Sequence, residues 1–477
     1  MERTSMPYSG IGASTSFATR GNDRLLMVFL GWGMSPGPFM SLSKPGYDVL
    51  LLWNYRGQDG TAFADDMRDA LAGYSEIVVV AWSFGVVAAS YIVDALGALP
   101  FTRKVAVNGT PRHIDRREGI PPAVFALTLK GLSPAAVEKF NGRMFASEED
   151  KARFDSFPSV RGFESVLEEL RFFGSLPPYD GSCRWNFAVI GGRDAIFPPA
   201  NQSACWHSAR CGISVLPEAG HYIDLQAVID DFVVDKELVA SRFGAAKHTY
   251  RDNAAVQRRV AEKLWSLAAP LIAPEPEAVV EVGVGGGLLT ELYSAALRPG
   301  DLLLLDIADV DTSRFPCGAR FLRCDAETAM PRLRRSSVDA ILSASTLQWF
   351  HDPESFVANA FEVLKPGGIL ALSFFGEGTC REVAEATGIS LKYPDPSGWR
   401  SCGDVLLSES ETLTESFSDA MEAVRHISRT GVNALRRDAP ASAGAVMRLL
   451  RGLPKDSSGR VRLSYVPYYM IIRKPIE

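Results

Sequence analysis

The stretch Ala278-Val279-Val280-Glu281-Val282-Gly283-Val284-Gly285-Gly286-Gly287-Leu288 decides the fold of the C-terminal half of this chain. A short apolar run precedes glycines at alternate positions, Gly283, Gly285 and Gly287, and leucines follow at helical spacing. This order predicts a strand, a tight turn and the start of a helix. Glycines allow the turn and leave room for a ligand to approach main-chain N–H groups.

Two acids follow at the ends of later predicted strands. Leu302 to Leu305 runs into Asp306, at the place where an acid in an α/β fold commonly accepts hydrogen bonds from a ribose. Phe321 to Cys324 predicts an edge strand that ends at Asp325. This carboxylate can accept from an adenine amino group, and the N–H of Ala326 can donate to the ring. A merely structural turn is the alternative for the glycines alone, but the acids favour a nucleotide site.

Composition and charge set outer limits. A length of 477 residues predicts two or three domains, and 47% hydrophobic with 22% charged residues is typical of a globular protein. Seven cysteines without CxxC spacing indicate reduced thiols and a cytoplasmic location, with no metal expected. Residues 1–23 lack the apolar core of a signal peptide, and no run is long enough to span a membrane.

The net charge of −6 is unevenly spread. Residues 425–477 contain eleven Arg or Lys against three Asp or Glu. This basic segment is either a solvated face or a docking surface for an acidic partner. No pattern of aromatic residues on a basic strand indicates nucleic acid.

The N-terminal half contains a serine between a hydrophobic strand and a helix of small residues. Ile77 to Val80 predicts a strand buried on both faces, and Ala81-Trp82-Ser83-Phe84-Gly85 follows it. This order matches the nucleophile elbow of α/β-hydrolases, with Ala81 in place of the usual first glycine. A structural serine is the alternative.

Asp194 and His221 complete a catalytic order. Asp194 follows the predicted strand Phe187 to Ile190, and His221 follows Gly220. The order Ser, Asp, His is that of an α/β-hydrolase triad, in which Ser83 attacks an acyl carbonyl, His221 carries the proton and Asp194 holds its tautomer. The alternative for His221 is a structural histidine in the core. Glu218 is the alternative to Asp194 as the acid of the triad.

The predicted oxyanion site lies on the Phe84 N–H and on an N–H of the early loop around Trp32. Between the predicted strands, residues 111–180 are read as a lid of amphipathic helices, at 121–132, 135–145 and 162–173. Its apolar residues suggest a substrate with an apolar acyl chain.

Residues 25 to about 235 resemble the pimeloyl-acyl-carrier-protein methyl ester esterases of the BioG type. The resemblance rests on Phe29-Leu30-Gly31-Trp32-Gly33-Met34, on the elbow, on the segment from Ile190 to Gln202, and on Gly220-His221. It implies a substrate that is a methyl ester on a protein-borne dicarboxylic acyl chain.

The C-terminal half has the pattern of class I S-adenosylmethionine-dependent methyltransferases. The strand from Val338 to Ser345 and the turn Lys365-Pro366-Gly367-Gly368 complete it, and a nicotinamide dehydrogenase has different glycine spacing. The segments Tyr250 to Gln257 and Ser345 to Trp349, with the tail from Leu463, resemble malonyl-acyl-carrier-protein O-methyltransferases of the BioC type. The resemblance implies that S-adenosylmethionine is bound by Glu281, Gly283, Gly285, Gly287, Asp306, Asp325, Ala326 and Ser343, with Tyr250 and Trp349 on the substrate side.

The predicted fold class is therefore α/β: a tail over 1–24, an α/β-hydrolase domain over 25–240, and a Rossmann-like methyltransferase domain over 241–477. The two resemblances together imply a bifunctional enzyme of biotin synthesis. Its partner is an acyl carrier protein bearing malonyl or pimeloyl methyl ester, with no nucleic acid and no membrane. An esterase–methyltransferase fusion acting on another acyl thioester, or one half serving as a binding scaffold, are the alternatives.

Overall fold

A computed structural model describes residues 11–57, 60–157, 161–388, 390–396, 403–430 and 450–476. Within the chain, contacts define two compact units that divide between Ile229 and Asp230. Residues 1–10 of the expected tail and residues 431–449 of the basic segment lie outside the described residues. In the part of the chain that is described, no helix is long and apolar enough to cross a membrane.

The first unit is built on a seven-stranded sheet. Its strands are β1 Ile11–Ala18, β2 Arg24–Phe29, β3 Asp48–Gly57, β4 Glu76–Trp82, β5 Phe101–Val107, β6 Phe187–Gly191 and β7 Gly212–Leu216. Their order is β1-β3-β2-β4-β5-β6-β7, and all pairs are parallel except β1 with β3. Strand β4 is buried along its whole length because helices cover both faces of the central sheet.

Strand β1 lies within the expected N-terminal tail over 1–24. It pairs antiparallel with β3 at the edge of the sheet. Its sequence, Ile-Gly-Ala-Ser-Thr-Ser-Phe-Ala, is half small and polar, and only its first two residues are buried. An edge strand bonds to one neighbour alone, so its apolar pattern is weak and the sequence does not reveal it.

The helices of the first unit flank the sheet and form the insertion. They are α1 Gly60–Leu71, α2 Gly85–Leu96, α3 Pro122–Lys130, α4 Pro134–Gly142, α5 Glu148–Asp155, α6 Phe163–Ser175 and α7 Pro199–Ser208. The three helices expected in the lid correspond to α3, α4 and α6. Helix α5 was not expected; it is a charged helix whose N-cap Ser147 accepts from the Asp150 N–H.

The second unit contains another seven-stranded sheet and a separate two-stranded sheet. Its strands are β8 Ala278–Val282, β9 Asp301–Asp306, β10 Arg320–Arg323, β11 Val338–Ala344, β12 Leu364–Phe375, β13 Asp404–Ser410, β14 Leu413–Phe417, β15 Val461–Tyr465 and β16 Pro467–Arg473. The order is β10-β9-β8-β11-β12-β16-β13, with β16 antiparallel to both neighbours, and β14 pairs with β15. Both sheets are mostly parallel with helical crossovers, which confirms the predicted α/β class.

Helix α8, Leu225–Phe232, contains the division between the units. The helices that follow are α9 Lys236–Ala246, α10 Tyr250–Asn253, α11 Ala255–Ala268, α12 Leu288–Ser294, α13 Ala326–Ala329, α14 Pro353–Val363, α15 Arg381–Thr387 and α16 Ala420–Arg429. The sequence analysis assigned residues 230 to 240 to the first domain, whereas the contacts assign them to the second unit. The reason is a tertiary contact, because α9 packs Leu238 and Val239 against Trp349. A local sequence pattern does not predict this contact.

Two candidate active sites

The nucleophile-elbow geometry is present at Ser83. This residue has φ +59°, between the end of β4 and the start of α2. Neighbouring glycines make the turn possible: a Cβ at Gly85 would lie 2.5 Å from the Phe29 carbonyl oxygen, and one at Gly109 would lie 2.2 Å from that of Ser83. A non-glycine residue with positive φ is strained and is typical of functional sites.

Ser83, His221 and Asp194 form a hydrogen-bonded chain in the first unit. The Ser83 Oγ lies 2.9 Å from His221 Nε2, and His221 Nδ1 lies 3.0 Å from Asp194 Oδ2. All three side chains are buried. With Nδ1–H donating to the carboxylate, Nε2 is left to accept the serine proton, which is the arrangement that activates a hydroxyl.

Asp194 is the acid that reaches the histidine. Its Oδ1 accepts from the N–H groups of Ile196 and Phe197, and its Oδ2 accepts from Gln202 Nε2 at 3.0 Å. Glu218, the rival, is exposed and pairs instead with Arg193. Of the two acids, Asp194 is the one within hydrogen-bond distance of His221.

His221 is fixed from both sides. Its ring stacks on Phe197 with an interplanar angle of 5°. Its carbonyl oxygen accepts from Trp82 Nε1 at 2.9 Å and from Asn108 Nδ2 at 2.8 Å. The backbone of the histidine loop is thus held by side chains from the ends of β4 and β5.

The loop around Trp32 lies beside the serine. A Cβ at Gly31 would lie 3.1 Å from the Ser83 Cβ, so a side chain at residue 31 would crowd the serine. Among the described residues, neither the Trp32 nor the Phe84 backbone N–H has an acceptor. Trp32 itself is anchored through Nε1 to the Val166 carbonyl oxygen of α6, at 2.8 Å.

The second unit holds a cavity at the carboxyl ends of β8, β9 and β11. The glycine loop has positive φ at Gly283 and Gly285. The Gly285 N–H donates to Asp306 Oδ2 at 2.8 Å, and the Ala308 N–H donates to Oδ1 at 2.7 Å. Burial raises the pKa of the Asp306 carboxyl.

The remaining wall of this cavity is mostly apolar. Its lining includes Leu305, Ile307, Ala308, Val310, Asp325, Ala326, Phe350, Tyr250 and Trp349. Partly buried carboxylates beside apolar side chains suit the ribose hydroxyls and the flat ring of an adenosine. The residues present therefore fit S-adenosylmethionine.

Three expected cofactor residues do not line the cavity. The Ser343 hydroxyl donates to the Val282 carbonyl oxygen beneath the glycine loop. Glu281 accepts from the Thr290 and Tyr293 hydroxyls, each at 2.6 Å. Gly287, with φ +72°, begins α12. These three residues support the conformation of the glycine loop and do not contact the cavity.

Comparisons with known proteins match each half of the chain to a family. Residues 13–227 match the family of pimeloyl-ACP methyl esterase BioG, and residues 280–372 match a methyltransferase domain family. A malonyl-[acyl-carrier protein] O-methyltransferase of Bacteroides fragilis is 33% identical over 469 residues, 94% of this chain and 92% of that protein. The chain belongs to the malonyl-[acyl-carrier protein] O-methyltransferase family.

Other similarities each cover one half of this methyltransferase. The Haemophilus influenzae protein of the same name is 31% identical and covers 50% of this chain and 95% of its own length. The solved structure of BioG from Haemophilus influenzae is 30% identical, covers 44% of this chain and 94% of that one, and gives a TM-score of 0.39. The chain is a fusion of a BioG-type esterase with an S-adenosylmethionine-dependent methyltransferase of the BioC type, as the sequence analysis expected.

Sequence reasoning about this fusion missed several buried polar residues. Lys236 lines the cofactor cavity, with Nζ 2.5 Å from both Asp325 and Glu327. Glu169 of α6 accepts from the Gly33 and Tyr55 N–H groups at 2.8 Å. Gln202, at the end of the segment from Ile190 to Gln202, donates to Asp194, a role that the sequence does not reveal. A lone Lys, Glu or Gln on a helix carries no local signal of burial.

Proposed function

We propose that this enzyme methylates the free carboxylate of malonyl-acyl-carrier protein with S-adenosylmethionine and hydrolyses the methyl ester of pimeloyl-acyl-carrier protein. The observation that carries the proposal is the similarity, over 94% of this chain, to a malonyl-[acyl-carrier protein] O-methyltransferase. The BioG match over residues 13–227 supports the second activity.

For ester hydrolysis, we assign the nucleophile to Ser83. His221 takes the hydroxyl proton while Oγ attacks the ester carbonyl, and then returns the proton to the departing methanol. Asp194 keeps the Nδ1–H tautomer. The N–H groups of Trp32 and Phe84 receive the oxyanion, and water completes the cycle by the same route.

For methyl transfer, S-adenosylmethionine supplies an electrophilic methyl group when bound. We assign its ribose to Asp306, its adenine to Asp325 and the Ala326 N–H, and close backbone approach to Gly283 and Gly285. The acceptor is a carboxylate, which is already ionised at neutral pH. No base is therefore required, and positioning beside Tyr250 and Trp349 with exclusion of water supplies the rate.

The two activities make chemical sense together. Methylation removes the charge at the far end of a malonyl group, and an apolar acyl tunnel rejects a buried charge. Chain-elongating enzymes can then extend the masked acid, and the esterase exposes the carboxylate afterwards. The acidic carrier protein is the partner we assign to the basic segment.

Intact-mass spectrometry tests both halves. The Ser83→Ala variant with S-adenosylmethionine should add one methylene to malonyl-carrier protein, because its ester product persists. Wild-type enzyme should remove one methylene from pimeloyl-carrier-protein methyl ester, and Ser83→Ala should lose at least about 10⁴-fold of that rate. Glu218→Gln is the matched control and should hydrolyse the ester normally.

Absence of transfer to the malonyl group would leave a methyltransferase with a different acceptor. Hydrolysis that survives Ser83→Ala would remove the triad from the mechanism. Each result concerns one half only, so the methyltransferase and the esterase assignments are tested independently.

A further inference from the structure

A second cavity adjoins the cofactor cavity in the methyltransferase unit. The two share the walls formed by Phe243, Tyr250, Ser345 and Trp349. The remaining lining of the second cavity is Gln257, Gln348, Phe375, Thr379, Leu391, Tyr393 and Tyr465. Its volume is about 30 Å³, roughly two to three times the space that one water needs. This is the size of a carboxyl group placed next to the cofactor.

The walls of this acceptor cavity are neutral. Among the described residues that line it, there is no Lys, Arg or His; the polar groups are hydroxyls, amides and an indole. A cationic partner would stabilise an acceptor carboxylate before reaction and weaken it as a nucleophile. Neutral N–H and O–H donors can orient the anion while leaving its charge on the attacking oxygen.

Two side chains in the wall of this cavity, Ser345 and Gln257 of α11, carry a buried polar atom that has no hydrogen-bond partner among the described residues. Gln257 is the one of the two whose amide group can donate two hydrogen bonds. It is only 4% exposed, and in the described part of the chain its Oε1 has no hydrogen-bond partner. Gln348 in the same wall differs, because its Nε2 donates to the Ser345 carbonyl oxygen at 2.6 Å and its Oε1 accepts from the Phe375 N–H at 3.3 Å. Buried amides are normally paired, so the Gln257 amide is a group available to a ligand in this cavity.

We propose that Gln257 is the specificity-determining residue that binds the acceptor carboxylate, with the Trp349 indole N–H as a second donor; this rests on the function proposed above. A rotation of the terminal amide exchanges its oxygen and nitrogen and presents N–H groups to the anion. One carboxylate oxygen then forms a bond to the methyl carbon as the sulfur–carbon bond breaks. The bonding pair goes to sulfur, and no proton moves.

The test compares two substitutions of Gln257 in the full chain, both carrying Ser83→Ala so that the ester persists. Gln257→Leu removes the donor at nearly constant volume, and kcat/KM for malonyl-carrier protein should fall about 10- to 100-fold. The dissociation constant of S-adenosylhomocysteine should change less than about twofold, because Gln257 does not line the cofactor cavity. Gln257→Glu should lower kcat/KM further than Gln257→Leu, because the glutamate and the acceptor carboxylate carry like charges and repel each other.

Two further measurements separate recognition from folding. Glu262→Gln lies on the exposed face of the same helix and should behave as the parent. Acetyl-carrier protein, which lacks the carboxylate, should bind much more weakly than the malonyl form to the parent. Gln257→Leu should reduce that preference about 10-fold or more.

Unchanged kinetics in Gln257→Leu would overturn the inference, and so would an equal loss of S-adenosylhomocysteine binding. If the parent enzyme transfers no methyl group to malonyl-carrier protein, the proposed function itself fails. That result is seen before any Gln257 variant is measured.

Discussion

Glu281 shows how burial changes a side chain that a motif assigns to ligand binding. Its carboxyl is 1% exposed and accepts from the Thr290 and Tyr293 hydroxyls. Burial raises its pKa to about 7, because a charge is costly away from water. The residue joins β8 to α12 and so holds the two ends of the glycine loop together.

This raised pKa predicts a pH-dependent stability. Between pH 4.5 and about 7 the folded state binds the Glu281 proton and the unfolded state releases it, so stability falls as pH rises through that window. The contribution is on the order of 3 kcal/mol. Glu281→Gln keeps an acceptor for both hydroxyls without a titration, and denaturant unfolding of the second unit should then lose less stability between pH 5 and pH 8. An equal loss in variant and wild type would contradict this.

At the scale of elements, lid helix α6 holds the loop beside the serine. Glu169 accepts from the Gly33 N–H, and Arg161, just before the helix, donates to the same carboxylate at 2.7 Å. Both side chains of this ion pair are almost fully buried. The N–H of Trp32 is therefore positioned by a helix more than a hundred residues away in sequence.

We predict that Glu169→Gln lowers the kcat of ester hydrolysis about 10- to 100-fold with little change in KM. The amide cannot accept from Arg161 and two N–H groups as a carboxylate does, so the oxyanion loop loses its fixed position. Unfolding should also become easier, because a buried charge pair is broken. Glu168→Gln is exposed on the same helix and should have neither effect. A rise in KM at constant kcat would point to substrate binding instead.

Helix α9 acts in the same way on the cofactor cavity. Lys236 bonds both Asp325 and Glu327, and Glu327 in turn accepts from the N–H groups of His351 and Asp352 at 2.8 and 2.6 Å. One ammonium group thus holds together two acids that would repel each other. The carboxylate assigned to adenine is positioned by a residue from outside the motif.

Lys236→Met should weaken S-adenosylhomocysteine binding by about tenfold or more, measured by calorimetry, because Asp325 and Glu327 are left as an unpaired buried pair. Ser241→Ala, exposed on the same helix, should bind normally. Unaltered binding in Lys236→Met would show that the acids need no cation.

At the scale of the whole molecule, each site draws its residues from one compact unit. Ser83, Asp194 and His221 lie before the division at Ile229, and the glycine loop with Asp306 lies after it. The apolar clusters follow the same division. The two activities should therefore be separable by single substitutions.

Gly283→Ala should abolish methyl transfer and leave ester hydrolysis within about twofold. A Cβ there would lie 2.0 Å from Thr346 Oγ1, at a φ of +74°. The matched control is Gly388→Ala, which has a similar φ of +72° but no atom within 4 Å. It carries the backbone strain without the collision, and transfer should persist. A parallel loss of hydrolysis in Gly283→Ala would show that the units depend on each other.

Strands β5 and β13 to β16 were not among the predictions. Local patterns in the sequence were enough to predict several parallel strands of each sheet, the serine elbow, the triad order and the glycine loop. These features can be predicted because strands, turns and the first residues of helices depend mainly on neighbouring residues in the sequence. The edge strand β1 escaped prediction because one-sided pairing needs little apolar sequence.

The sequence by itself determined which chemistry each half carries: a serine, an acid and a histidine in order, and glycines followed by strand-terminal acids. Folding was needed to show that Asp194 rather than Glu218 reaches His221, and that Glu281 and Ser343 lie outside the lining of the cofactor cavity. It was also needed to show that Lys236 and Gln257 line the two cavities of the second unit, and that Glu169 bonds the loop beside Ser83. The physical reason is that burial and hydrogen-bond partnership depend on residues far apart in the chain, which only folding brings together.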